Sequence, residues 1–129
     1  MNQSLYLYLN PDRKPNVKFK LATFGDAEFE MKALSAKEAS QASAEAYARG
    51  AKGVEYMYPV ISRALVQPDL KSVDLLEALS EREGRKILNS TEAFELLFTG
   101  DEVAALIDIY NNHASVTVDF HEKVEEAKN

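Results

Sequence analysis

Thr99-Gly100-Asp101-Glu102 leads into Val103, Leu106, Ile107 and Tyr110, which recur at i, i+3, i+4 and i+7. A threonine with a glutamate three residues on is a capping box, in which each side chain accepts from the other residue's backbone amide. The spacing that follows puts the apolar side chains on one stripe of a helix. Such a helix must bury that stripe, so the rest of the chain has to supply a surface against it. The stretch 87–122 around it contains no Lys or Arg, yet it carries Glu92, Glu95, Asp101, Glu102, Asp108, Asp119 and Glu122. An acidic helical surface around an apolar seam suits contact with other proteins. Nucleic acid and anionic membrane are poor partners for it, because binding to phosphate rests on Lys and Arg.

The charge is divided unevenly along the chain. Residues 1–86 hold 13 basic and 12 acidic side chains, whereas 87–129 hold 2 basic and 9 acidic. A length of 129 residues fits one domain with a single core. The absence of cysteine excludes disulfides and thiolate metal sites. Residues 5–9 form a run too short and too tyrosine-rich for a signal peptide, and no segment approaches the roughly 18 apolar residues of a membrane span. The expectation is a cytoplasmic protein with no membrane and no nucleic-acid partner.

The elements can be read in order. Leu5, Tyr6, Leu7, Tyr8 and Leu9 alternate aliphatic and aromatic residues, which predicts a strand. Residues 10–16 contain Pro11 and Pro15 and form a loop. Val17, Phe19 and Leu21 alternate with Lys18 and Lys20; Ala27, Phe29 and Met31 alternate with Glu28, Glu30 and Lys32. Those two runs predict a β-hairpin over 17–22 and 27–32, with the lysines facing the glutamates. Ser35 and Glu38 have capping-box spacing, so an alanine-rich helix should run to about Arg49 and stop at Gly50. Val54, Met57, Tyr58, Ile61 and Leu65 form a further helical stripe that contains Pro59, where the helix must start or kink. Gln67-Pro68-Asp69-Leu70 is expected to end it. Ser72 suits the cap of a helix carrying Val73, Leu75, Leu76 and Leu79, closed by Gly84. Ser90 or Thr91 is expected to cap a helix with Phe94, Leu97 and Phe98, and the helix after Thr99 should end near Asn111 and Asn112. The fold class expected is α+β, mainly α: an N-terminal β-hairpin followed by about five to six short helices. The organisation expected is a strand and loop over 1–16, one helical domain with its hairpin over 17–118, and a polar tail or short helix over 119–129.

Motifs of catalysis are missing from the string. His113 and His121 are the two histidines, and neither belongs to an HExxH. No GxSxG or SxxK spacing occurs, and the glycines do not form a phosphate-cradling loop. Thr99-Gly100-Asp101-Glu102 reads better as a helix start than as a carboxylate pair. The expectation is a binding protein without cofactor, metal or enzymatic activity.

One resemblance rests on the order of these parts. After the hairpin comes Met31-Lys32-Ala33-Leu34-Ser35-Ala36-Lys37-Glu38, leading into a helix. Val66-Gln67-Pro68-Asp69-Leu70 follows the next helix, then a short leucine-rich helix and a glycine. A paired-helix segment hinges at Leu97-Phe98-Thr99-Gly100-Asp101-Glu102, and the chain closes on Val124-Glu125-Glu126-Ala127-Lys128-Asn129. From about Val17 onward this resembles the tail assembly chaperones of long-tailed bacteriophages and prophages, of the PBSX-like type, in their short product made without ribosomal frameshifting.

That resemblance implies a protein of the bacterial host cytoplasm that coats the tape measure protein during tail morphogenesis and is not retained in the virion. It implies the tape measure protein as client, the tail tube protein as a further partner, and self-association into a homo-oligomer. Residues Leu96, Leu106, Ile109 and Tyr110 are the expected protein-binding groove, for a client helix or a neighbouring copy. Two other readings stand beside it: a phage structural protein for tail completion or head–tail connection, and a non-phage acidic helical adaptor gripping a basic partner.

Overall fold

The computed structural model describes residues 2–119. Its elements run α1 (Gln3–Leu9), β1 (Val17–Phe19), β2 (Phe29–Met31), α2 (Ala36–Ala48), α3 (Tyr58–Ala64), β3 (Leu65–Gln67), α4 (Val73–Glu83), α5 (Ser90–Leu97) and α6 (Gly100–Ala114), with 3₁₀ turns at Ala22–Phe24 and Gly53–Met57. The fold is α+β and mainly α, as the sequence patterns predict. The suggested helix through Phe120 and Val124 lies outside the described residues.

The hairpin forms with the predicted alternation, in shorter strands. Val17 pairs with Met31, Lys18 with Glu30 and Phe19 with Phe29. Lys18 therefore faces Glu30 as expected, but pairing ends before Lys20 can meet Glu28. Lys20 instead reaches Asp26 across the turn, at 3.7 Å. A third strand, absent from the sequence reading, completes an antiparallel sheet in the order β1-β2-β3. Met31 pairs with Leu65 and Glu30 with Gln67, so Val66 is an extra residue on β3, a bulge. Leu65 thus leaves the helical stripe it was assigned to and joins the sheet, and helix α3 ends at Ala64 rather than at Gln67-Pro68. A two-stranded hairpin is marginal in water; the third strand and the helices behind it give β2 a buried face.

Residues 5–9 depart most from expectation. They form helix α1, not a strand. Asn2 caps it, its side-chain oxygen accepting from Leu5 N at 2.7 Å, and Asn10 N donates to Tyr6 O at 2.9 Å at the other end. Period-two alternation signals a strand only where one face can be buried, and no residue of α1 is buried.

Helices α2, α4, α5 and α6 begin where side-chain oxygens satisfy their first amides. Ser35 with Glu38 and Thr99 with Glu102 make complete capping boxes. Ser72 caps α4, and Gly84 ends it in the left-handed conformation, which has no steric penalty only for glycine. Asn89, rather than Ser90 or Thr91, caps α5 by accepting from Thr91 N and Glu92 N. Pro59 stands in the first turn of α3, where its missing amide proton costs nothing. Helix α6 extends to Ala114, a half turn beyond Asn111-Asn112.

The main core lies between the sheet and helices α3, α5 and α6. Phe29, Met31, Ile61, Ala64, Leu65, Leu70, Phe94, Phe98, Val103 and Leu106 are its buried members. Phe24, Phe29, Phe94 and Phe98 join edge-on or tilted, with ring centroids 5.2–6.2 Å apart. Where α3 crosses α5, the buried hydroxyls of Ser62 and Thr91 meet at 3.3 Å, and Ser62 also bonds Pro59 O at 3.1 Å. Buried alanines Ala42 and Ala46 let α2 lie close on its neighbours. A smaller satellite cluster of Leu79, Ile87 and Ala93 holds α4 against α5.

Candidate protein-binding surfaces

The four groove residues do not line one groove. Leu106 is fully buried in the main core and has no surface to offer. Ile109, on the flank of α6, and Tyr110, on its inward face, are half-buried and pack against that same core. Leu96 belongs elsewhere, packed on the satellite cluster with Leu79, Ile87 and Ala93. The structure therefore brings Leu106, Ile109 and Tyr110 together as packing residues and leaves Leu96 apart from them. The reason is helical periodicity: Leu106 and Tyr110 are four apart on the inward face of α6, whereas Leu96 precedes the turn at Phe98 and Thr99 that redirects the chain.

Val66, Val73, Leu88, Val116 and Val118 are exposed at scattered positions, and large apolar side chains stand exposed in two groups. One is α1, where Leu5 is 45%, Tyr6 56%, Leu7 57%, Tyr8 81% and Leu9 62% exposed. A helix apolar on all sides is normally buried. The other is the corner where α2 gives way to the 3₁₀ turn, with Tyr47, Val54 and Tyr56 all exposed. Gly50, at φ +69°, reverses the chain there and puts the end of α2 beside the turn. The sequence gives no periodic signal for Tyr47 and Tyr56. The run 5–9 does carry apolar groups on more than one face, enough to offer surface to another chain, but its alternation points to a strand rather than a helix.

Electrostatics divides the charged residues into those already engaged and those facing solvent. Arg49 pairs with Glu95, Arg85 with Glu92 at 3.1 Å, and Arg63 with Glu45 at 2.9 Å. Glu102 accepts from the Thr23 hydroxyl at 2.5 Å and from Thr99 N at 2.8 Å; these bonds to its ionised form, the first above all, hold its pKa below the ordinary carboxylate value. The Lys32 ammonium, donating at 2.9 Å, and the Ser35 amide lower the Glu38 pKa from 4.5 to about 2. Asp101 and Asp108 are exposed on the outer face of α6 and take part in no ion pair among the described residues. A depression of about 250 Å³ beside β3 is lined by Lys32, Arg63, Asp69 and Lys71, but Lys32 and Arg63 are engaged with Glu38 and Glu45. Among the described residues no group of three or more potential metal ligands converges, and no helix is long and apolar enough to cross a membrane.

No family model matches the chain, and no curated protein matches it. Its fold is similar to the crystal structure of the protein YqbN, a target of the Northeast Structural Genomics Consortium, with a TM-score of 0.60 over 91% of this chain and 98% of that one. The two are 14% identical, so the likeness is one of fold.

Proposed function

We propose that this chain is a tail assembly chaperone of a long-tailed phage or prophage, which coats the tape measure protein in the host cytoplasm until the tail tube assembles around it. One observation carries this reading: two separate apolar surfaces, α1 and the Tyr47-Val54-Tyr56 corner, remain exposed on a chain of only 129 residues. A coat on a long helical client needs two such surfaces, one for the client and one for the neighbour in the coat. The resemblance in the order of parts supplies the identity of the client.

The small size of the patches supplies the reversibility, since ordering and desolvation costs offset much of what a small apolar contact gains. We assign the client to the Tyr47-Val54-Tyr56 corner, which replaces the groove at Leu96, Leu106, Ile109 and Tyr110.

Co-expression with the tape measure protein of the same genome tests the reading. The expected result is that the client stays in solution and co-purifies with the chain, and that a Tyr47→Ser, Tyr56→Ser double variant folds normally but loses the client. Mass spectrometry of purified virions should not find the chain. A client that aggregates equally with and without the chain, or a chain abundant in virions, overturns the proposal; the second outcome favours a structural protein of the tail or connector.

A further inference from the structure

We infer that residues 115–119 are a strap, which closes on the open edge of β1 in the same chain as a fourth strand of the sheet. The structure shows the strap open. The inference does not depend on which client the chain binds.

Strand β1 is an edge with hydrogen bonds to offer. The sheet runs β1-β2-β3, so β1 has β2 on one side only. On the other side of β2, Lys32 N donates to Ala64 O at 2.9 Å. Backbone groups alternate in direction along a strand, so Glu30 also turns toward β3 and Met31 toward β1. Val17 and Phe19, opposite Met31 and Phe29, therefore bond inward, and Lys18 turns its N–H and C=O outward. Among the described residues neither group has a partner. Bare edge groups of this kind invite another strand, and a strap that covers them takes the edge out of reach of extended segments from elsewhere.

The fold delivers that strand to the right place. Glu102, in the first turn of α6, bonds Thr23 just past the end of β1. Ser115, at the other end of α6, accepts from Lys14 Nζ at 3.3 Å just before β1 begins. Helix α6 thus runs opposite to β1, and a chain that doubles back from Ser115 runs parallel to it. Ser115 leaves the helix in an extended conformation, at φ −66° and ψ 141°.

Side chains select one register. Val116, Thr117 and Val118 are all β-branched, which suits a strand, and both valines stand exposed when the strap is open. With Thr117 beside Lys18, the valines fall on the face of the sheet that carries Val17 and Phe19, both packed against the core. Thr117 and Asp119 fall on the solvent face with Lys18 and Lys20. Lys18 takes part in no ion pair among the described residues, so Asp119 brings it a counter-charge. A slip of one residue would turn both valines to water and Asp119 toward the core. In the favoured register Lys18 N donates to Val116 O, and Lys18 O accepts from Val118 N.

Amide hydrogen exchange of the full chain, followed by NMR, provides the test. The Lys18 and Val118 amides of the wild type should exchange about tenfold or more below the rate of an open chain. A Val116→Asp, Val118→Asp double variant should return the Lys18 amide to the open rate. Its Met31 amide, bonded within the sheet, should stay protected and so report that the variant folds. The chain has no cysteine, so a Lys18→Cys, Thr117→Cys double variant carries only the introduced pair, which adjacent strands hold within disulfide reach. Oxidised in dilute solution, it should close at the mass of one chain. Open-chain exchange at Val118 in the wild type overturns the inference, as does a Lys18 amide indifferent to the two aspartates. A disulfide that forms only between two chains also overturns it, since the strap would then cover a neighbour's sheet.

Discussion

Thr23 donates its hydroxyl proton to Glu102 Oε2 at 2.5 Å, across 79 residues of sequence. The other oxygen of the same carboxylate accepts from Thr99 N at 2.8 Å, so one glutamate closes the cap of α6 and fastens the hairpin turn to it. Thr23→Val removes the second task and leaves the first. Amide hydrogen exchange should quicken over residues 22–27 and stay unchanged in the first turn of α6. Unchanged exchange in the turn would show that packing of Phe24 against Phe29 and Phe98 holds it unaided.

Acid should weaken the fold through Glu38 and Glu102. Both have lowered pKa values when folded, Glu38 from 4.5 to about 2. The unfolded chain then binds more protons than the native one as pH drops below about 4.5, so stability rises with pH in that window. The contribution is complete above the ordinary glutamate range and is lost as pH falls toward the folded values. Lys32→Ala should move the Glu38 titration, followed by NMR, back up toward 4.5 and flatten the acid limb of the unfolding curve. A wild-type Glu38 that titrates near 4.5 contradicts this.

Among the described residues Arg63 and Glu45 form the least exposed ion pair, each side chain 21% exposed, and Glu45 Oε2 is buried without a hydrogen-bond partner. Arg63 also donates to Pro59 O at 3.3 Å. Arg63→Ala leaves a largely buried carboxylate with no partner at all. The expected loss is about 1–3 kcal/mol in urea unfolding. Replacing both residues by apolar ones of similar volume should cost less than the single change.

Leu106 and Ile109 separate packing from surface on a single helix. Leu106→Ala should cost about 2–5 kcal/mol, since the side chain is fully buried between α6 and the Phe94–Phe98 cluster. Ile109→Ala, at a half-exposed position, should cost distinctly less. Equal losses would mean that the flank of α6 is packed as tightly as its inward face.

Local chemistry explains which parts of this fold were legible in the sequence. The Ser35 and Thr99 capping boxes, the Gly84 stop and the Val17–Met31 alternation are short-range signals, and each marks a real boundary. Strand β3 was hidden because Leu65 continues the spacing of the helix before it; its pairing with Met31 depends on a residue 34 positions away. Helix α1 was misread because its alternation has no buried face behind it. Asn89 was overlooked beside two hydroxyl residues equally able to cap, although only asparagine reaches both Thr91 N and Glu92 N here. The groove failed for a related reason: periodicity places Leu106 and Tyr110 on a face, but it does not say whether that face looks inward.

Helix α4 rests mostly on a small base of its own. Leu79, Ile87 and Ala93 hold it, with Arg82 bonded to Leu96 O at 3.0 Å and Ser80 Oγ accepting from Ile87 N at 2.8 Å, and Leu75 is its one side chain that also packs against the main core. An element so held can detach while the aromatic cluster stays shut. Denaturant should therefore release residues 73–87 first, and a protease should find its earliest cut there, leaving a body whose sheet and remaining helices still melt as one.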